Sequence, residues 1–169
     1  MRTKFAVRAA VVPAIVALAM LVFGSAIADA HGKKRTLRLV GTEIQSDFLD
    51  LGATGPSLGD EFVFSESLSK NGREVGESGG VCTITQVTPP YGVITFHCVA
   101  TLSLRRGQIT LQGLIEVQGE NDQGPFTAAI TGGTGKFRCA CGEARIRDVD
   151  ERTTIYKLRL DFCNHKHKR

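Results

Sequence analysis

The sequence lacks the patterns that mark several large classes of protein. After Gly24 the 169-residue chain has no long apolar run, so we expect a soluble mature protein with no stable membrane insertion. It has no Ser-His-Asp pattern and no zinc-ligand spacing, because one residue separates Cys139 from Cys141 where a redox or zinc motif has two. We therefore expect neither a metal ion nor a cofactor.

Residues 31–169, which follow the N-terminal segment, also lack a strong excess of positive or negative charge. The whole sequence contains 21 Lys and Arg against 17 Asp and Glu, and residues 1–30 hold three of the basic and one of the acidic residues. Residues 31–169 therefore carry a formal charge of only +2. This balance gives no indication of a nucleic acid partner.

The first 30 residues have the order of a secretory signal peptide. Basic residues up to Arg8 precede an apolar run from Ala9 to Gly24, and Ala28-Asp29-Ala30 forms a small-x-small cleavage site. The alternative is an uncleaved membrane anchor, but the run is short for a bilayer span of about 20 residues. We expect cleavage after Ala30 and secretion of residues 31–169, which are long enough for one domain with its own core.

The stretch from Ala129 to Gly142 contains three glycines within four positions, which allows the backbone to turn sharply. It is not a phosphate loop. Ile130 stands where that motif needs its first glycine, and Phe137 stands where it needs Ser or Thr. We expect a tight connection between two strands here.

Eight β-like segments joined mostly by short turns follow one another, and no helix is predicted after residue 30. The Asn71-Gly72 pair is a hairpin signal between the second and third segments. Eight antiparallel strands can close into an all-β barrel, which removes exposed edges and is just wide enough to be filled or to hold one small ligand. The segments are Thr36–Gln45, Asp60–Leu68, Glu74–Val87, Val93–Leu104, Gln108–Val117, Phe126–Thr131, Phe137–Arg147 and Thr153–Cys163.

All five cysteines follow the predicted cleavage site, and an oxidising compartment favours disulfides. A hairpin centred on Pro90 sets Cys82 opposite Cys98, on the same face of two antiparallel strands, so we predict a bridge between them. The alternative is two buried, reduced thiols. The last hairpin brings Cys163 near Cys139 or Cys141, and the sequence does not choose between these two.

Glu66 is a candidate for chemistry because of its neighbours. It shares one face of its segment with Phe62, Phe64 and Leu68. If that face is the barrel interior, Glu66 is an acid in an apolar pocket, with a raised pKa and a capacity for proton transfer. If the face points outward, Glu66 is a salt-bridge residue.

Four blocks of the sequence, in the same order, resemble the allene oxide cyclase and dirigent protein superfamily. With the predicted signal peptide, the chain resembles a secreted, bacterial-type member of this superfamily. The resemblance implies an eight-stranded antiparallel calycin-like barrel, often a homotrimer, that binds a small hydrophobic or phenolic ligand. It further implies cofactor-free steering of a cyclisation, as in an isomerase, or of a stereoselective coupling. The four blocks are Leu58–Phe64, Val75–Cys82, Gly107–Gly113 and Ala129–Phe137.

The resemblance also assigns residues. Glu43 takes the place of a glutamate that steers charge in the substrate, Gln45 that of an asparagine, and Cys82 that of a pocket cysteine. Leu114 falls where the cyclases have a pocket tyrosine, and Glu66 falls where they have an asparagine. Glu43, from this resemblance, and Glu66, as an acid on an apolar strand face, are the catalytic candidates. The alternative is a non-catalytic binding or structural barrel, because fold alone does not decide function.

Overall fold

The computed structural model describes residues 34–89, 92–118 and 124–162, so the predicted signal peptide and Cys163 lie outside the described residues. Within these ranges no helix is long and apolar enough to cross a bilayer. The chain forms eight strands and one short 3-10 turn. They are β1 (Arg35–Leu49), β2 (Glu61–Lys70), β3 (Arg73–Thr88), β4 (Val93–Leu104), β5 (Gly107–Val117), β6 (Phe126–Gly133), the 3-10 turn (Gly135–Phe137), β7 (Ala140–Asp150) and β8 (Thr153–Phe162).

The strands form one closed barrel in sequence order. Each strand pairs antiparallel with the next, and β1 pairs with β8 from Arg35↔Leu160 to Thr42↔Thr153, which closes the ring. The fold class predicted from the sequence is therefore confirmed. The hairpin signal is confirmed as well, since Asn71 and Gly72 both adopt the positive φ angles of a tight turn between β2 and β3.

The glycine-rich stretch closes one end of the barrel. The sequence pattern predicted a strand that begins at Phe137. In the structure Phe137 belongs to the 3-10 turn, and β7 begins at Ala140. Gly135 has a φ of 56°, which reverses the chain and turns the Phe137 ring inward, where it is only 7% exposed. The predicted connection is real, and its aromatic residue packs as a plug.

The barrel interior is filled at the plugged end and hollow at the other. Strand alternation directs every second side chain inward, and the inner rows beside Phe137 are aliphatic. Seven of these side chains are at most 2% exposed: Leu39, Leu68, Leu102, Ile109, Ala144, Leu158 and Leu160. The open end is the one where β1 meets β2 and β7 meets β8.

A buried carboxylate organises the loop between β1 and β2 at the open end. Asp60 is 0% exposed and accepts hydrogen bonds from the backbone N–H of Leu51 (2.9 Å) and of Ser57 (2.7 Å). Burial alone would raise the pKa of Asp60, but these hydrogen bonds, with that of the Ser57 hydroxyl, lower it below its ordinary value of 3.8. Two backbone hydrogen bonds with Ile84 then fix the loop to β3.

The predicted disulfide between Cys82 and Cys98 is present, at directly opposed positions of β3 and β4. Of the three other candidate thiols, Cys163 lies outside the described residues, Cys141 is disulfide-bonded, and Cys139 is free and exposed. Cys139 lies in the turn before β7 with a φ of 61°, so the two residues do not share a strand face as the sequence pattern suggested.

We expect Asp60→Asn to destabilise the protein near neutral pH and to weaken the acid dependence of its stability. A lowered folded-state pKa means that the contribution of Asp60 is complete above the unfolded pKa, near 3.8, and is lost as the pH falls through the folded value. Urea unfolding across this pH range measures the effect. Asp50→Asn, an exposed change in the same loop, is the control, and equal behaviour of the two variants would contradict the prediction.

Replacing Cys82 and Cys98 together by Ala should lower the free energy of unfolding by about 3 kcal/mol. The bridge closes a segment with a sequence separation of 16, and its loss frees the unfolded chain. Denaturant unfolding of the double variant is the measurement, with Cys139→Ala as the control because that thiol is free. An unfolding midpoint equal to that of the parent protein would show that the bridge adds no stability.

Candidate functional site

The hollow end of the barrel holds a cavity of about 370 Å³. Its volume lies in the range of small-molecule sites, about 300–1,000 Å³, and its lining is mainly aromatic and aliphatic. The apolar lining comes from β2 and from β4 to β7: Phe62, Phe64, Phe96, Ala100, Leu111, Ile115, Val117, Phe126, Ala128 and Ile146. Such a lining favours a ligand with a large apolar surface.

The floor of the cavity carries one buried carboxylate. Glu66 is 4% exposed, and its Oε2 accepts hydrogen bonds from the Tyr156 hydroxyl at 2.6 Å and from the Ser78 hydroxyl. Burial, followed by the negative charge of Glu66, raises the pKa of Tyr156 well above its ordinary value, so this phenol stays a donor. The three side chains form a fixed polar unit beneath an apolar chamber.

The second carboxylate oxygen of Glu66 is directed differently. In the described part of the chain no donor is hydrogen-bonded to Oε1, although both Tyr156 and Ser78 hold Oε2. Gly41 on β1 makes room for the carboxylate, because a Cβ atom at that position would lie 2.6 Å from Oε1. The arrangement anchors one oxygen and leaves the other able to contact a ligand.

Two stacked phenylalanines form part of the wall. The rings of Phe62 and Phe64 lie 6.0 Å apart with an interplanar angle of 23°. Phe64 lies over Gly80 of β3, where a Cβ atom would come within 2.6 Å of the ring. A glycine at this position thus allows the ring to lie close to the neighbouring strand, which suits the wall to a flat ligand.

The mouth of the cavity is acidic and is shaped by two β-bulges. One bulge, in β1 at Ile44, follows Glu43, and the other, in β7 at Val149, separates Asp148 from Asp150. Glu43 lies directly opposite Glu66 in the β1–β2 pair, and both residues line the cavity. Bulges next to ligand sites redirect side chains, and here they gather carboxylates at the opening.

Arg152, in the β7–β8 turn, ties the two bulged strands together. Its backbone N–H donates to Asp150 at 2.9 Å, and its guanidinium donates to the backbone oxygen of Glu43 at 3.2 Å. The first of these bonds is the leading cause that lowers the pKa of Asp150. Thr154 donates to Asp148 at 2.8 Å, so the acidic mouth is held by hydrogen bonds of its own.

The structure brings together three of the residues chosen from the sequence. Glu43, Glu66 and Cys82 all line the cavity, and the Cys82–Cys98 bridge forms part of its wall. Glu66 faces the interior, so the salt-bridge alternative does not hold. Whether Glu43 and Glu66 act in catalysis stays a prediction.

Two predicted pocket residues lie on the outside. The bulge at Ile44 shifts the alternation of β1 by one residue, so Gln45 is exposed and Ser46 takes the inward phase opposite Phe64. Leu114 alternates with the inward-facing Gly113 and Ile115 of β5 and is 67% exposed. Their predicted place in the pocket is corrected by this geometry.

The sequence pattern does not predict the partners of Glu66 or the acids of the β7–β8 turn. Tyr156 lies within the predicted segment Thr153–Cys163 and Ser78 within Glu74–Val87, and neither pattern indicates a contact with Glu66. Asp148, Asp150 and Glu151 follow the predicted segment Phe137–Arg147, and nothing local in the sequence indicates the bulge at Val149. One feature of the sequence does point to a partner for Tyr156. It is a polar aromatic residue on an otherwise apolar strand face, and a buried Tyr hydroxyl needs a hydrogen-bond partner.

Comparison with known proteins places this geometry in a family. Residues 40–160 match the family described as "Allene oxide cyclase barrel like domain". A solved structure named pyocyanin demethylase has 34% sequence identity and a TM-score of 0.64, and the match covers 75% of this chain and 99% of that one. A comparison with curated protein sequences gives no match.

Two more distant structures share the fold. The pterocarpan synthase dirigent protein PsPTS1 is 17% identical with a TM-score of 0.56, and the match covers 77% of this chain and 96% of that one. A Diels-Alderase from Streptomyces koyangensis is 14% identical with a TM-score of 0.63, with 84% and 75% covered. The match over residues 40–160, together with the relative at 34% identity, shows that this chain belongs to the allene oxide cyclase barrel-like family.

Proposed function

We propose that the protein binds a small, flat aromatic molecule in the barrel cavity and converts it there, with Glu66 as the catalytic group. The observation that carries this proposal is the position of the Glu66 carboxylate. It is 4% exposed, held through Oε2 by Tyr156 and Ser78, and it borders an apolar chamber of about 370 Å³. A carboxylate fixed in this way can hold a proton or stabilise a developing positive charge at Oε1.

Removal of a methyl group from an aromatic heterocycle is the reaction class we favour. The relative at 34% identity is named as a demethylase of pyocyanin, an N-methylated phenazine. A tricyclic ring of that kind matches the flat aromatic wall formed by Phe62 and Phe64. In this chain the wall would orient the ring. The ring would take up two electrons from its own N-methyl carbon, water would add to that carbon, and the carbon would leave as formaldehyde, so that the ring itself serves as the oxidant. Glu66 would accept and return the protons that move in this exchange.

Cofactor-free steering of a cyclisation or a coupling is the second candidate. It is favoured by the wall formed by β2 and β4, whose side chains come from strands that are paired with both neighbours. A rigid wall can hold a substrate in one reactive conformer, which lowers the entropic part of the barrier without a catalytic group. In that case the choice of product depends on the phenylalanines and not on Glu43 or Glu66.

We also propose that the protein works outside the cytoplasm and assembles with copies of itself. Disulfides at Cys82–Cys98 and at Cys141 fit an oxidising compartment, as expected if Ala30 ends a signal peptide. Val99 and Leu114, on the outer faces of neighbouring strands, are 39% and 67% exposed. A homotrimer of the kind implied by the family would give such side chains apolar surface to cover.

Glu66→Gln should lower the rate of pyocyanin demethylation by about 100-fold or more, because the amide keeps the shape of the side chain and loses its charge and its capacity to hold a proton. Mass spectrometry of the demethylated product measures the rate. The matched control is Glu116→Gln, an exposed outward-facing change on β5 next to the cavity-lining Ile115 and Val117.

The outcomes distinguish demethylation by Glu66, steering by the shape of the wall, and binding without catalysis. Full activity in the Glu66→Gln variant would contradict a catalytic role for this carboxylate. Loss of stereochemical control in a Phe64→Ala variant, with Glu43→Gln and Glu66→Gln both unaffected, would support steering by shape. Binding of aromatic ligands with no turnover of any of them would leave a non-catalytic barrel.

Gly41→Ala tests the position of the carboxylate without changing its chemistry. The new Cβ atom would lie 2.6 Å from Oε1, so the carboxylate must move, and we expect turnover to fall about 100-fold. Gly79→Ala is the matched control, because the nearest atom to its Cβ is 3.7 Å away, an ordinary contact. Equal turnover in the two variants, with both folded by thermal melting, would mean that the placement of Glu66 is unimportant.

A further inference from the structure

The charge along the cavity lining is strongly one-sided. Five carboxylates line the cavity against the single guanidinium of Arg152. Among the described residues, none of the five forms an ion pair with a Lys or Arg. The ion pair observed in this part of the chain joins Arg159 and Glu143 on the outer surface. The five are Glu43, Glu66, Asp148, Asp150 and Glu151.

Arg152 compensates little of this charge. Its guanidinium donates to the backbone oxygen of Glu43 and not to a carboxylate, and Glu66 has hydroxyl groups as its only partners among the described residues. Hydroxyl donors stabilise a carboxylate but leave its net charge in place. A molecule that enters the cavity therefore meets uncompensated negative charge at the mouth and at the floor.

The negative groups form two sets, Glu43 with Glu66 and the acids of the β7–β8 turn, and do not all converge on one point. In the described ranges, no group of three or more His, Cys, Asp or Glu is arranged to hold a metal ion. Glu66 marks the floor, Glu43 lies opposite it across the strand pair, and the acids of the β7–β8 turn mark the mouth. This arrangement fits a charge that is distributed over an extended ligand.

The wall restricts the kind of cation that can enter. Between the acids stand four phenylalanines, Phe62, Phe64, Phe96 and Phe126. A compact cation such as ammonium or sodium would lose its hydration against this wall and gain few contacts in return. An aromatic ring with delocalised positive charge is weakly hydrated, buries apolar surface and attracts the negative faces of the phenylalanines. Apolar walls also reduce the screening of the carboxylates.

We propose, as an extension of the proposed function, that the cavity selects aromatic molecules with a delocalised positive charge, such as N-alkylated heteroaromatic rings, over neutral or anionic molecules of the same shape. Glu66 attracts the charge at the floor, and Glu43 and the acids of the mouth attract it during entry. The selection belongs to binding and precedes any chemistry.

Three tricyclic probes of nearly equal shape test this selection: N-methylphenazinium, neutral phenazine and anionic phenazine-1-carboxylate. Calorimetry or fluorescence titration of the full mature chain should give the tightest Kd for the cation, about tenfold below that of phenazine, and the weakest for the anion. Raising the salt concentration about tenfold should weaken binding of the cation and leave phenazine unchanged.

Variants assign the selection to the cavity acids. Glu66→Gln and Glu43→Gln should each reduce the ratio of cation to phenazine affinity by about fivefold, and Glu116→Gln on the outer face should not change it. Equal affinities for cation and phenazine, or a ratio that survives both cavity variants, would overturn the charge selection while the aromatic site remains. Failure of all three probes to bind would instead overturn the proposed function itself.

Discussion

The pairing of β1 with β8 is the constraint on which the rest of the structure depends. It joins the first and last strands of the described barrel, so no strand is left at the edge of an open sheet and the number of strands fixes the width of the interior. Eight strands leave room for side chains or for one small molecule. This barrel does both, because leucines and Phe137 fill one end while phenylalanines line a chamber at the other.

A closed barrel also explains how the chain tolerates an acid in its interior. A buried carboxylate is costly unless hydrogen bonds replace its lost hydration. Glu66 on β2 obtains them from Ser78 on the neighbouring strand and from Tyr156, which is distant in sequence and reaches Glu66 only because the ring is closed. Gly41, on the other neighbouring strand, provides the space. The polar unit therefore depends on β1, β3 and β8 as well as on β2, and β8 comes within reach of Glu66 only because the barrel is closed.

Much of the fold could be predicted from the sequence, and less of the site. Strand alternation, the Asn71-Gly72 turn and the opposition of Cys82 and Cys98 depend on neighbours in one hairpin, and these local rules hold in the structure. Gln45 was misplaced because a bulge adds one residue and turns the following side chains to the other face. A bulge is set by the strand across from it, which periodicity along one strand does not reveal. The bulge between Asp148 and Asp150 is likewise not predictable from the sequence of β7 alone. Leu114 was assigned to the pocket from a family position, but in this chain that position faces outward.

The plug formed by Phe137 has a consequence for turnover. Because the described residues pack one end of the barrel, a molecule that enters through the acidic mouth finds no route through that end, and the product of the proposed reaction would leave by the opening through which the substrate entered. Entry and exit would then compete for one passage lined by carboxylates. A reaction that neutralises its substrate would weaken the hold on the product at that passage, so chemistry and release would be coupled by electrostatics alone.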